Sequence, residues 1–142
     1  MIIFIWLLIT VAAIVWLTIK FQLHPFLGLL FGAFGMLIPF LIAAFLKTAQ
    51  GSSTVAIITT SAIMVPLIAA LGFDSSLGKA LVLLAIGAGS ITVSHVNDSY
   101  FWVIAKCSNM DTATALKTHT IASMLMGFTG LVIVQLLALI LL

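Results

Sequence analysis

His95, Asn97 and Asp98 share one short stretch, SHVNDS, in a chain with only three acidic residues and three histidines. These residue types suit the handling of a proton and a polar ligand. An aspartate can carry a proton or, when ionised, hold a cation. A neighbouring histidine can share that proton or donate to a ligand. An asparagine both donates and accepts, which suits a hydroxylated molecule. A second polar stretch, QGSSTV at 50–55, contains Ser52, Ser53 and Thr54. Ser52 or Ser53 is a good N-cap for a helix running from about Thr54. The unpaired N–H groups and positive dipole end there favour a carboxylate, by about 0.3–1 kcal/mol or ~2 kcal/mol when partly buried.

Each residue also has a plainer role open to it. Asp98 or Ser99 can simply cap the short apolar helix YFWVIAK, and His95 can be a hydrogen-bonded interior side chain. Residues 50–55 can be an ordinary extramembrane loop, with Lys47 and Gln50 marking the aqueous boundary. Asp74 or Ser75 reads as a helix cap, and Ser108 and Asp111 have capping-box spacing. Ser94, His95 and Asp98 include the types of a hydrolytic triad, but adjacent residues point apart on any regular element and triads are defined by geometry. Metal-ligand spacing is absent. The single cysteine, Cys107, excludes an internal disulfide and a cysteine-based metal cluster.

The elements that position these groups must be membrane helices. Of 142 residues, 64% are hydrophobic and 6% charged, whereas water-soluble chains carry roughly a quarter charged residues. A spanning helix needs about 20 apolar residues, so the expected fold is an all-α integral membrane protein with about five hydrophobic segments. The five lysines are scattered singly, which argues against nucleic acid as a partner. Three of them (Lys47, Lys106, Lys117) fall on one side of five plain crossings and two (Lys20, Lys79) on the other, a bias too small to orient the chain.

The first segment runs from about Ile2 to Ile19 and reads as a retained helix, since it lacks a positive n-region and a cleavage site. The second, about Phe26 to Leu46, has Pro25 at its start, a close-packing Gly28/Gly32 pair and an expected kink at Pro39. The third ends at Gly72 and contains Pro66. The fourth begins near Lys79, meets a polar interruption at 89–99 and resumes as a half-helix. The last continues through His119 to Leu142, with His24 and His119 expected at interfaces. Backbone that leaves the helix at membrane depth survives only inside protein or beside a wet cavity. The interruptions therefore predict a broken helix at 89–99 and a candidate re-entrant element at 50–55. An ionisable Asp98 at such depth reads as functional.

At QGSSTVA and SHVNDS, and through LKTHTIASMLMGFTGLVIVQLLALIL, residues 36–142 resemble the carboxy-terminal region of the gluconate permease family. These are proton-coupled symporters of sugar acids in the ion transporter superfamily. The resemblance implies that Gly51, Ser52, Ser53 and Thr54 form a substrate-facing re-entrant or broken element. It also implies that Asn97, Asp98 and Ser99 line the same central cavity; the residue types themselves suggest that His95 contacts the substrate and Asp98 relays the proton. Residues 1–35 resemble the family's first helix and the start of its second. The chain thus looks like a permease with its middle missing, joined near LLFGAFG.

Proton-coupled uptake of gluconate or a related sugar acid, across a bacterial inner membrane crossed several times, is the expectation. It needs no enzyme chemistry and no cofactor. The expected partners are the organic anion, the proton and the bilayer, together with a homo-oligomer or a full-length paralogue. A non-transporting membrane remnant associating with such a relative is the alternative.

Overall fold

The computed structural model describes residues 34–141. The expectations for the first segment, Lys20, His24, Pro25 and the Gly28/Gly32 pair lie outside those residues. Among the described residues every regular element is helical. Helix α1 spans Leu37–Gln50, α2 Ser53–Ala70, α3 Ser76–Ile91 and α4 Ser99–Cys107. A short α5, Thr112–Ala115, passes through a π-helical turn at Leu116–Thr120 into α6, Ile121–Leu141.

Local chemistry accounts for the ends. Gly51 closes α1 in the left-handed region at φ 71°, where its N–H donates to the Lys47 carbonyl at 2.8 Å. The Ser52 hydroxyl accepts from Val55 N at 3.4 Å to open α2, and the Ser75 hydroxyl accepts from Gly78 N at 2.9 Å to open α3. Asp98 opens α4 by accepting from Tyr100 N at 3.0 Å. Asp74 instead forms an exposed 3.6 Å pair with Lys79. Asp111 stands at the N-cap of α5 without a side-chain cap bond, while Ser108 ends α4, so the expected capping box is not formed. The segment is interrupted beside Pro39: Phe34 and Gly35 are helical, Met36 forms a turn, and α1 restarts at Leu37 with Pro39 in its first turn, where a missing N–H costs little.

The expected break at Gly89 also moves. Helix α3 runs unbroken through GAGS and ends at Thr92. These small residues serve close packing instead. A methyl on Gly89 would collide with the Phe40 carbonyl of α1, and one on Gly127 with the Thr92 side chain. Ser90 satisfies its hydroxyl on the Gly87 carbonyl at 2.7 Å, within its own helix.

Helix α3 is the centre of the bundle. It packs against α1, α2 and α6, while α4 packs on α5 and the π turn. The main core gathers Met36, Phe73, Leu81, Ile86 and Val134, and a smaller one holds Phe101, Ala105 and Ala115. Outside the core, large apolar side chains such as Phe45, Ile58, Val65 and Ile140 are exposed. A helix apolar all round belongs in lipid or in a protein core. Helix α2 and the run Thr112–Leu141 are long and apolar enough to cross a membrane. With 14 and 16 residues, α1 and α3 fall short of a full crossing.

The segment between α3 and α4 lies beside the interior of that long run. Ser94 N donates to the Ser123 hydroxyl at 3.0 Å, and the Thr120 hydroxyl donates to the Ser94 carbonyl at 2.6 Å. At 1.5 Å per residue, Ser123 stands about 17 Å from the Thr112 end and about 27 Å from Leu141.

Candidate functional site

The two polar interruptions meet. Gly51, between α1 and α2, packs so closely on Asn97 that a side chain there would collide with the Asn97 carbonyl. Asn97 in turn donates from Nδ2 to the Thr48 carbonyl at 2.7 Å. The tip of the α1–α2 hairpin is thereby clamped to the break between α3 and α4. Two helix starts, at Ser52 and Asp98, therefore come together beside the middle of the long helix.

Asp98 is the polar centre of this junction. It is 5% exposed and Lys47 is 2% exposed. Lys47 Nζ lies 2.5 Å from Asp98 Oδ2, the oxygen that also accepts from the Ser94 hydroxyl at 2.5 Å. Asp98 Oδ1 accepts from Tyr100 N. The ammonium reaches the Gly51 carbonyl as well, at 3.3 Å. Such a pair is tolerated in a dry interior only when its remaining lone pairs and protons are also satisfied, and here Gly51, Ser94 and Tyr100 supply partners.

Lys47 is therefore not the aqueous marker suggested by its place at a helix end. The sequence carries no local sign of its partner, since a lysine in the last turn of a helix fits the dipole equally well. Thr120 and Ser123 likewise carry no local sign of their role in the sequence, and Ser94 shows there only the residue type of a triad nucleophile. Their part is to satisfy a backbone bent by Val93, whose φ of 54° is unusual for a β-branched residue.

Of the expected site residues, Gly51, Asn97 and Asp98 are brought into one junction, and Ser52 borders it as the cap of α2. Ser53 and Thr54 occupy the first turn of α2, half-buried and exposed respectively, and Ser99 is exposed at the start of α4. Among the described residues, none of these three bonds to the opposite break. His95 is half-buried, with Nδ1 lacking a hydrogen-bond partner among them. His119 lies in the π turn, with its ring on Tyr100 and Phe101 at 5.9 and 6.1 Å. Among the described residues no cluster of His, Cys, Asp or Glu could hold a metal ion. Chemically, the junction can hold a buried charge pair next to polar groups and a free helix start.

A family model described as "GntP family permease" matches residues 34–140, which contain the whole junction. The chain is 40% identical over 106 residues to a gluconate permease of Pseudomonas aeruginosa, covering 75% of this chain and 23% of the relative. It is 35% identical over 105 residues to a gluconate permease of Bacillus subtilis, covering 74% and 22%. To the Gnt-II system L-idonate transporter of Escherichia coli it is 41% identical over 90 residues, covering 63% and 20%. The chain thus spans between a fifth and a quarter of these relatives' lengths. No solved structure matches it. The all-helical, lipid-suited bundle agrees with these matches, and the extent of the family match makes this integral membrane protein a member of the GntP permease family.

Proposed function

We propose that the chain serves in secondary active transport, in the proton-coupled uptake of gluconate or a related sugar acid across the bacterial inner membrane. The meeting of the two polar breaks is the observation that carries this reading. It puts a helix start rich in hydroxyls against a buried aspartate, beside the middle of an apolar 30-residue helical run. Non-helical backbone of that kind needs either protein or a wet cavity around it, and half-helix starts suit anionic groups. The names of the relatives, two gluconate permeases and an L-idonate transporter, supply the substrate class.

In this reading residues 36–142 are the transporter region, and residues 1–35 correspond to the family's first helix and the start of its second. The substrate carboxylate rests at the start of α2, on Gly51, Ser52, Ser53 and Thr54. Its hydroxyls contact His95, Asn97 and Ser99, and Asp98 takes and returns the coupling proton. The proton gradient supplies the work and no cofactor takes part. The chain crosses the membrane several times, with the α1–α2 hairpin entering it without crossing at its tip.

Uptake of labelled gluconate into cells lacking other permeases tests the proposal. Uptake above empty cells that is lost in Asp98→Asn is the expected result, and no uptake removes it. A second reading is a non-transporting membrane protein that associates with a full-length permease or with further copies. Co-purification with such a permease, in cells where the chain alone gives no uptake, would favour it.

A further inference from the structure

We propose that Lys47 is the counter-ion of the substrate carboxylate, released to it when Asp98 takes up a proton. The inference rests on the sugar-acid transport reading and adds the cationic partner that reading lacks.

Lys47 and Asp98 are both almost wholly buried and hold one another at 2.5 Å. Stranding either charge by removing the other carries a large penalty, so Lys47 requires an anion in every state of the site. A substrate carboxylate entering the junction adds a second negative charge to a pair that is already neutral. One proton on Asp98 restores neutrality, and the ammonium, keeping all its protons, moves from one carboxylate to the other. One proton and one carboxylate enter together and leave together, so the charge of the buried site does not change.

The geometry suits the exchange. The proton would sit on Asp98 Oδ2, which now accepts from both Lys47 and Ser94. As a carboxylic acid, that group can donate to the Ser94 hydroxyl in a bond of reversed sense, so neither partner is orphaned. Oδ1 keeps the Tyr100 N–H throughout. The ammonium already touches the Gly51 carbonyl at 3.3 Å, one residue before the cap of α2, where the carboxylate is placed. Its flexible stem allows this short swing.

Few other groups could take the proton. The titratable residues about the pair are His95 and Tyr100 on the same segment and His119 in the π turn, whose ring packs on Tyr100. Helices α2 and α6 contribute none, and Lys79 is exposed in its pair with Asp74.

Calorimetry on the whole chain in lipid nanodiscs, with gluconate as the probe, decides the matter. Titrations in buffers of different protonation enthalpy count the protons taken up on binding. The wild type is expected to take up about one proton per gluconate. Asp98→Asn, a stand-in for the protonated aspartate, is expected to bind without proton uptake and with little pH dependence. Lys47→Met combined with Asp98→Asn leaves no stranded charge and should bind at least ~10-fold more weakly than Asp98→Asn alone.

If the double variant folds and binds within about twofold of Asp98→Asn, the proposal for Lys47 is overturned while sugar-acid binding stands. An Asp98→Asn protein that still takes up a proton overturns it equally, whether or not the double variant folds. A wild type that binds no sugar acid at acidic or alkaline pH overturns the transport reading and this proposal with it.

Discussion

The Lys47 ammonium meets the Asp98 carboxylate at 2.5 Å across 51 positions of sequence, tying the end of α1 to the start of α4. It joins a hairpin tip to a helix break, so the stability of each depends on the other. Replacing Lys47 with Met strands a buried carboxylate, a change that typically costs about 3–5 kcal/mol. Thermal unfolding in detergent should show the single variant clearly less stable than wild type. The double variant Lys47→Met/Asp98→Asn should recover most of the loss, and a single variant as stable as wild type would remove the ion pair as a structural tie.

Gly51 is demanded twice over. Its φ of 71° favours glycine, and the Asn97 backbone fills the space a side chain would need. Gly51→Ala should therefore cost more than the ~1 kcal/mol typical of such a backbone position, because the hairpin tip must also retreat from Asn97. The checks are the unfolding temperature and gluconate uptake, and both should fall.

Ser52 and Ser75 do the same capping work in different places. Alanine at either should cost about 1 kcal/mol of stability. Only Ser52→Ala should also weaken gluconate uptake, because Ser75 caps a helix start away from the junction. Equal uptake in both variants would separate the cap from any role in binding.

Depth in the membrane can be read by labelling. In a Cys107→Ser background, Val96→Cys on the break should react with a membrane-impermeant maleimide many-fold more slowly than Asp74→Cys in the α2–α3 turn. Equal rates would make the break a solvent-washed loop and leave the transport site without its setting.

Much of the framework was legible residue by residue. Ser52 or Ser53, Asp74 or Ser75, and Asp98 or Ser99 announced three helix starts to within a residue, because a cap is a bond within three residues of its own position; the structure uses Ser52, Ser75 and Asp98. The glycines of GAGS misled. Read alone they suggest broken helix, yet the missing side chain of Gly89 lets α1 close on α3, as those of Gly127 and Gly130 let α6 do. The π turn at Leu116–Thr120 had no sequence sign, since LKTHT suits an ordinary helix.

The sequence by itself determined the membrane class, the family and the places where apolar helices must stop, because hydropathy, capping and turn chemistry act within a few residues. Only the tertiary structure decided that the two stops meet and that Lys47 turns inward. A lysine at a helix end looks the same whether it faces water or a distant carboxylate. The choice rests on a partner 51 positions away and on the cost of leaving either charge alone in a dry interior.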